Sequence, residues 1–135
     1  KDWEDAIRCA GKILYDTKTV TEQYVEEMVN SVKKHGPYIV VCKGMALPHA
    51  DCSKGAIEEA ASLVRLKTPI EFGSVYNDPV RYVIGMSIKS AESINQAIYD
   101  MMKIFGDENN MNKFDSLPDE QAVLDMVNSF QKQKI

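Results

Sequence analysis

The run Tyr38-Ile39-Val40-Val41-Cys42 constrains this chain more than any other stretch. Its side chains are apolar without alternation, the pattern of a central strand covered on both faces. Such a strand needs helices on two sides of a sheet, which favours a layered α/β domain. The chain supplies them. Trp3, Ala6, Ile7, Ala10 and Leu14 recur at helical spacing, predicting an amphipathic helix from about Asp2 to Tyr15. Tyr24, Val25, Met28, Val29 and Val32 repeat the period in a second helix. Thr19 or Thr21 can cap its start, Lys33, Lys34 and His35 suit its negative end, and Gly36-Pro37 stops it.

Downstream, Ala61 to Lys67 reads as a second strand, ending at Pro69, and Val80, Tyr82, Ile84, Met86 and Ile88 alternate through a third. The residues between them, from Phe72 to Pro79, form a loop by their Gly, Asn, Asp and Pro content. Ile94, Ala97, Ile98, Met101, Ile104 and Phe105 restore the helical period until Gly106-Asp107 breaks it. Asp107 to Ser116 is polar and reads as irregular, apart from a short edge strand. Pro118 suits a first helical position ahead of the stripe Val123, Met126, Val127 and Phe130. The order helix, helix, strand, loop, strand, strand, helix, helix predicts one domain over residues 1–135, a mixed β-sheet with helices on both faces.

At 135 residues the chain is long enough to bury roughly two thirds of its unfolded surface without disulfide or metal staples. No apolar run approaches the ~18 residues of a spanning helix, and the first residues do not form a signal sequence. Sixteen Lys and Arg against twenty Asp and Glu leave a net charge of −4, which argues against a nucleic-acid footprint. Cys9, Cys42 and Cys52 are an odd set without a C-x-x-C pair, as a reducing cytoplasm allows. The absent initiator Met suggests a trimmed or excised domain.

Chemistry near neutral pH has two candidates, His35 and His49. His35 is explained as a helix-end residue complementing terminal carbonyls. His49 follows Pro48, which fixes its own φ and pushes Leu47 toward extended geometry, so the backbone into the imidazole has little freedom. A neutral imidazole is a nucleophile near pH 7 when one ring nitrogen is pinned as donor and the other keeps its lone pair exposed. The segment Lys43 to Ala50 offers carbonyls for pinning and N–H groups for an anion, a combination that suits a phosphorylated histidine. Met45, beside the histidine, has a location that favours a docking surface. No dinucleotide or P-loop pattern occurs, so no nucleotide is expected. Cys42, His49 and Cys52 would converge on zinc only with unusual loop geometry and a fourth ligand such as Asp51, so no metal is expected.

Gly36-Pro37-Tyr38-Ile39-Val40-Val41, Gly44-Met45-Ala46-Leu47-Pro48-His49-Ala50, Leu66-Lys67-Thr68-Pro69-Ile70-Glu71-Phe72-Gly73 and Asn77-Asp78-Pro79-Val80 together resemble the enzyme IIA domain of the bacterial phosphoenolpyruvate-dependent sugar phosphotransferase system. The branch is the mannitol/fructose type. The Trp3 helix and the Gly-Pro-Tyr segment resemble its ascorbate-specific members. The resemblance spans Trp3 to about Phe130. It implies a cytoplasmic phosphotransferase in which His49 takes a phosphoryl group from the carrier protein HPr and passes it to a cysteine of enzyme IIB, without cofactor. The sugar would be ascorbate or a related sugar acid or pentitol. Gly44, Met45, Ala46, Pro48 and Ala50 would form the supporting loop, and a homodimer is left open.

Members of this type commonly carry a second active-site histidine in a pattern like Ser-His-Leu, where this chain has Ser93-Ile94-Asn95. Isoleucine cannot donate a hydrogen bond, so Ser90, Ser93 or Asn95 would supply the donor, or the loop backbone would suffice, or transfer would be slower in this protein. A basic residue often follows the His-Ala pair, where this chain has Asp51. The alternative reading is an enzyme IIA-like regulatory domain of a transcriptional regulator controlled by histidine phosphorylation.

Overall fold

The computed structural model describes residues 2–50, 55–58, 60–87 and 91–118. Helix α1, Trp3–Asp16, starts where the Asp2 carboxylate accepts from the Asp5 amide. Helix α2, Glu22–His35, begins at Thr21, whose hydroxyl accepts from the Tyr24 amide, and ends at Gly36 with φ 85°. Both follow the predicted stripes: Ala6, Ile7, Ala10 and Leu14 of α1 and Tyr24, Met28, Val29 and Val32 of α2 are buried in one cluster.

Strands β1, Met45–Ala46, β2, Ala60–Ile70, and β3, Val80–Ser87, form a mixed sheet in the order β1-β3-β2. β1 runs parallel to β3 with Met45 opposite Tyr82, and β2 runs antiparallel to it with Leu63 opposite Ile84. The register shifts between Arg65 and Ile70, the irregular stretch that accommodates Pro69 within β2. Helix α3, Ala91–Phe105, is followed by α4, Glu108–Ser116.

Side-chain alternation divides the interior. Ala46, Val64 and Val83 face α1 and α2, joined by Val80, which lies beyond the register shift and breaks the expected alternation with Tyr82, Ile84 and Met86. Met45, Leu63, Tyr82, Ile84 and Met86 face the other way, toward Met101, Ile104 and Phe105 of α3 and Phe114 of α4. Helices therefore cover both faces, as expected.

Two expectations are corrected. Residues 38–42 are not a strand: apart from an isolated bridge between Cys42 and Met45 they form turns and extended backbone. The apolar run still meets both cores, Ile39 and Val40 on the α1–α2 side and Val41 and Cys42 on the other. Burial on two sides was inferred correctly, but an arm crossing the edge of β1 satisfies it without a ladder. The segment 107–116 is not irregular, because Asp107 caps α4 by accepting from the Asn109 and Asn110 amides. Phe114 then anchors that helix, fully buried. The predicted helix at residues 123–130 lies outside the described residues, as does Ile88.

Candidate functional site

The arm 37–42 folds back on the segment 44–50. The Leu47 amide donates to the Ile39 carbonyl at 2.9 Å, and Cys42 bridges Met45. Gly44 makes the reversal with φ 81°, a conformation that favours glycine. Its carbonyl accepts from the Arg81 and Tyr82 amides at 2.8 and 3.0 Å, which ties the turn to the start of β3. From the other side the Gly44 amide donates to the Asn77 carbonyl, and Asn77 Nδ2 donates to the Val40 carbonyl. The Asp78 carboxylate in turn accepts from the amides of Phe72, Gly73 and Ser74, so the loop 72–79 is held by an internal anion. Asn77 and Asp78, which the sequence places only in a loop, brace the turn that leads to His49.

Beyond β1 the chain stays beside β3. The Met86 amide donates to the Pro48 carbonyl at 2.9 Å. The Tyr24 hydroxyl, from α2, donates to the Met86 carbonyl at 2.6 Å and accepts from the Ala50 amide at 3.2 Å. His49 is therefore flanked by two residues whose backbones are fixed to the core. Its own side chain is half-buried.

Imidazole Nδ1 lies 2.7 Å from the Leu47 carbonyl oxygen. A carbonyl can only accept, so Nδ1 carries the proton and Nε2 of the neutral ring keeps its lone pair. The Tyr38 ring stands edge-on to the imidazole, with centroids 5.8 Å apart and planes at 88°. His35 meets the far side of Tyr38 at 6.2 Å and 80°. His35 is the last residue of α2, where the sequence placed it, and Lys33 and Lys34 precede it.

The supporting residues separate into different environments. Met45, Ala46 and Leu47 are fully buried and Ala50 nearly so. Met45 lies under α3 and α4 and is not a docking surface, contrary to the sequence expectation. Both faces of β1 are covered, so Met45 and Ala46 are buried alike. Asn95 is exposed on α3; Ser93 belongs to the same helix, while Ser90, Asp51 and Cys52 lie outside the described residues. Cys42 is half-buried, and desolvation pushes its thiol up to about 11, which keeps it protonated at neutral pH. Among the described residues no three His, Cys, Asp or Glu side chains converge as a metal site would require. No described helix is long and apolar enough to cross a membrane.

Fold and site thus define a layered α/β domain that offers one tautomer-fixed imidazole at the end of a braced arm. The chain belongs to the family of the phosphoenolpyruvate-dependent sugar phosphotransferase system, EIIA 2, whose family model matches residues 1–130. Its members are phosphoryl carriers, so the activity is that of a phosphotransferase in sugar transport. The chain is 32% identical over 126 residues to the ascorbate-specific PTS system EIIA component of Shigella boydii, covering 93% of this chain and 82% of that one. Among solved structures it is similar to the mannitol-specific cryptic phosphotransferase enzyme IIA CmtB of Escherichia coli, with a TM-score of 0.79 and 28% identity over 94% of this chain and 86% of that one. The same fold occurs in the Escherichia coli complex of enzyme IIAMTL with phosphorylated enzyme IIBMTL, at a TM-score of 0.80 and 23% identity over 96% of this chain and 89% of that one.

Proposed function

We propose that His49 carries the phosphoryl group on Nε2, taking it from phospho-HPr and passing it to a cysteine of enzyme IIB, in the uptake of ascorbate or a related sugar acid or pentitol. The observation that carries this reading is the 2.7 Å contact between His49 Nδ1 and the Leu47 carbonyl. It leaves Nε2 as the nucleophile of a half-exposed ring.

In the first transfer the lone pair of Nε2 attacks phosphorus in line. The P–N bond to the donor histidine breaks, and its electron pair returns to that imidazole. The phosphorylated ring of His49 is then cationic, with its Nδ1 proton still directed at the Leu47 carbonyl, which stabilises the charge without a proton transfer. In the second transfer a cysteine thiolate attacks the same phosphorus, the P–Nε2 bond breaks, and the neutral Nδ1–H tautomer is restored. Both steps are displacements at one phosphorus, so the carrier needs no metal, nucleotide or water. Ser93 or Asn95 of α3, or Ser90, would donate to the phosphoryl oxygens in place of the family's second histidine.

The ascorbate assignment is supported by the naming of the 32% identical relative, and the enzyme IIB partner by the complex in which the same fold was solved. The phosphotransfer chemistry and the three cysteines without a C-x-x-C pair support a cytoplasmic location. Incubation with phosphoenolpyruvate, enzyme I and HPr is expected to add one phosphoryl group by mass. His49→Ala is expected to remain unmodified, and a His49→Ala protein that gains the group would refute the reading.

A further inference from the structure

The Leu47 carbonyl contacts only one atom of the imidazole. A single hydrogen bond fixes where Nδ1 lies but leaves the ring free to tilt about it, and phosphoryl transfer requires the direction of Nε2 to be set as well. The second contact comes from across the arm. Because Leu47 pairs with Ile39 and Met45 with Cys42, the fold-back places Tyr38 opposite His49. The two rings meet at 5.8 Å and 88°, within the edge-to-face range.

Tyr38 is itself held. The ring of His35, the last residue of α2, stands against it at 80°. Its position follows α2 and not the arm alone. Yet 45% of its surface is exposed, which is unusual for a residue present only to fill the core. Ile39 and Val40 beside it already provide the burial that anchors the arm.

We propose that Tyr38 is a positioning residue for His49: its ring acts as a lateral stop that keeps the imidazole in the plane where Nδ1 meets Leu47 and Nε2 faces a docking partner. The inference rests on His49 as the phosphoryl acceptor. The ring is what matters, so Tyr38→Phe should behave as the parent protein, while Tyr38→Ala and Tyr38→Leu should not. Leucine supplies bulk without an aromatic face and separates the ring contact from simple filling.

Long-range proton–nitrogen correlation spectra of the unphosphorylated proteins read the tautomer of His49 directly. The parent and Tyr38→Phe are expected to show the Nδ1–H form. The alanine and leucine variants are expected to show exchange between tautomers and a phosphoryl transfer rate from HPr lower by about two- to tenfold, the worth of one aromatic pair. Should alanine unfold the arm, the comparison of leucine with phenylalanine decides. Unchanged tautomer and rate in a folded Tyr38→Leu protein would overturn the proposal. A failure of the carrier reading would show separately, as phosphorylation of His49→Ala, and would leave the tautomer measurement intact.

Discussion

The two faces of the sheet are built by opposite means. Toward α1 the sheet is approached closely through small groups at Ala10: the Ser62 hydroxyl donates to the Ala10 carbonyl at 2.8 Å, and a Cβ added at Gly85 would meet Ala10 Cβ at 3.1 Å. Toward α3 and α4 the space is filled by rings, with Tyr82, Phe105 and Phe114 in mutual contact at centroid distances of 5.0–6.1 Å. One face is vulnerable to added atoms and the other to removed ones. The segment bearing His49 crosses both, since Ala46 and Ala50 point into the first core and Met45 and Leu47 into the second.

The largest test of this contrast is Phe105→Ala, which empties the centre of the ring cluster. It should lower the unfolding free energy by about 3–5 kcal/mol, measured by denaturant titration. Gly85→Ala should cost about 1–3 kcal/mol, because its methyl group would also meet the Ser62 hydroxyl at 2.8 Å. A neutral Gly85→Ala would show that α1 can retreat, and the close-packed description of that face would fall. The smallest effect belongs to Tyr82→Phe, which removes the hydroxyl that donates to Asp115 at 2.7 Å while keeping the ring. Asp115 retains its ion pair with Arg81, so about 1 kcal/mol is expected. Parity between Tyr82→Phe and Phe105→Ala would mean that polar pinning of α4, not ring packing, holds the second face.

The contrast also explains what could be read from the sequence. Helices α1 and α2 were legible because stripe, cap and stop agree: Thr21 opens α2 and Gly36 closes it. Strand β3 shows its alternation at Tyr82, Ile84 and Met86, while Val80 of the same expected set turns to the other core. Residues 38–42 misled because an unbroken apolar run reports burial on two sides and says nothing of hydrogen bonding. β1 was hidden, since Met45-Ala46 is too short to have a period and takes its structure from pairing with Tyr82 and Val83. Helix α4 was missed although Asp107 is a legible cap, and although Met111, Phe114 and Leu117 recur at a spacing of three.

Of the site, His49 and the stiffness of its loop could be read from Pro48 and Gly44. The Leu47 carbonyl and the Tyr38 ring could not, because both depend on the fold-back register, which a run without alternation does not encode. Asn77 and Asp78 brace the arm from a loop about thirty residues away in sequence, and only a tertiary contact reveals that.

The Tyr24 phenol has a consequence for the proposed transfer between two proteins. Rooted in the interior, its one oxygen atom joins Ala50, on one side of His49, to Met86 of β3, whose amide holds Pro48 on the other side. Pressure from a docking protein would thereby be borne by the body of the domain and not by a hinge. On the proposed reading the imidazole would return to the same address after each visit, so that donor and acceptor could each be shaped to a fixed target.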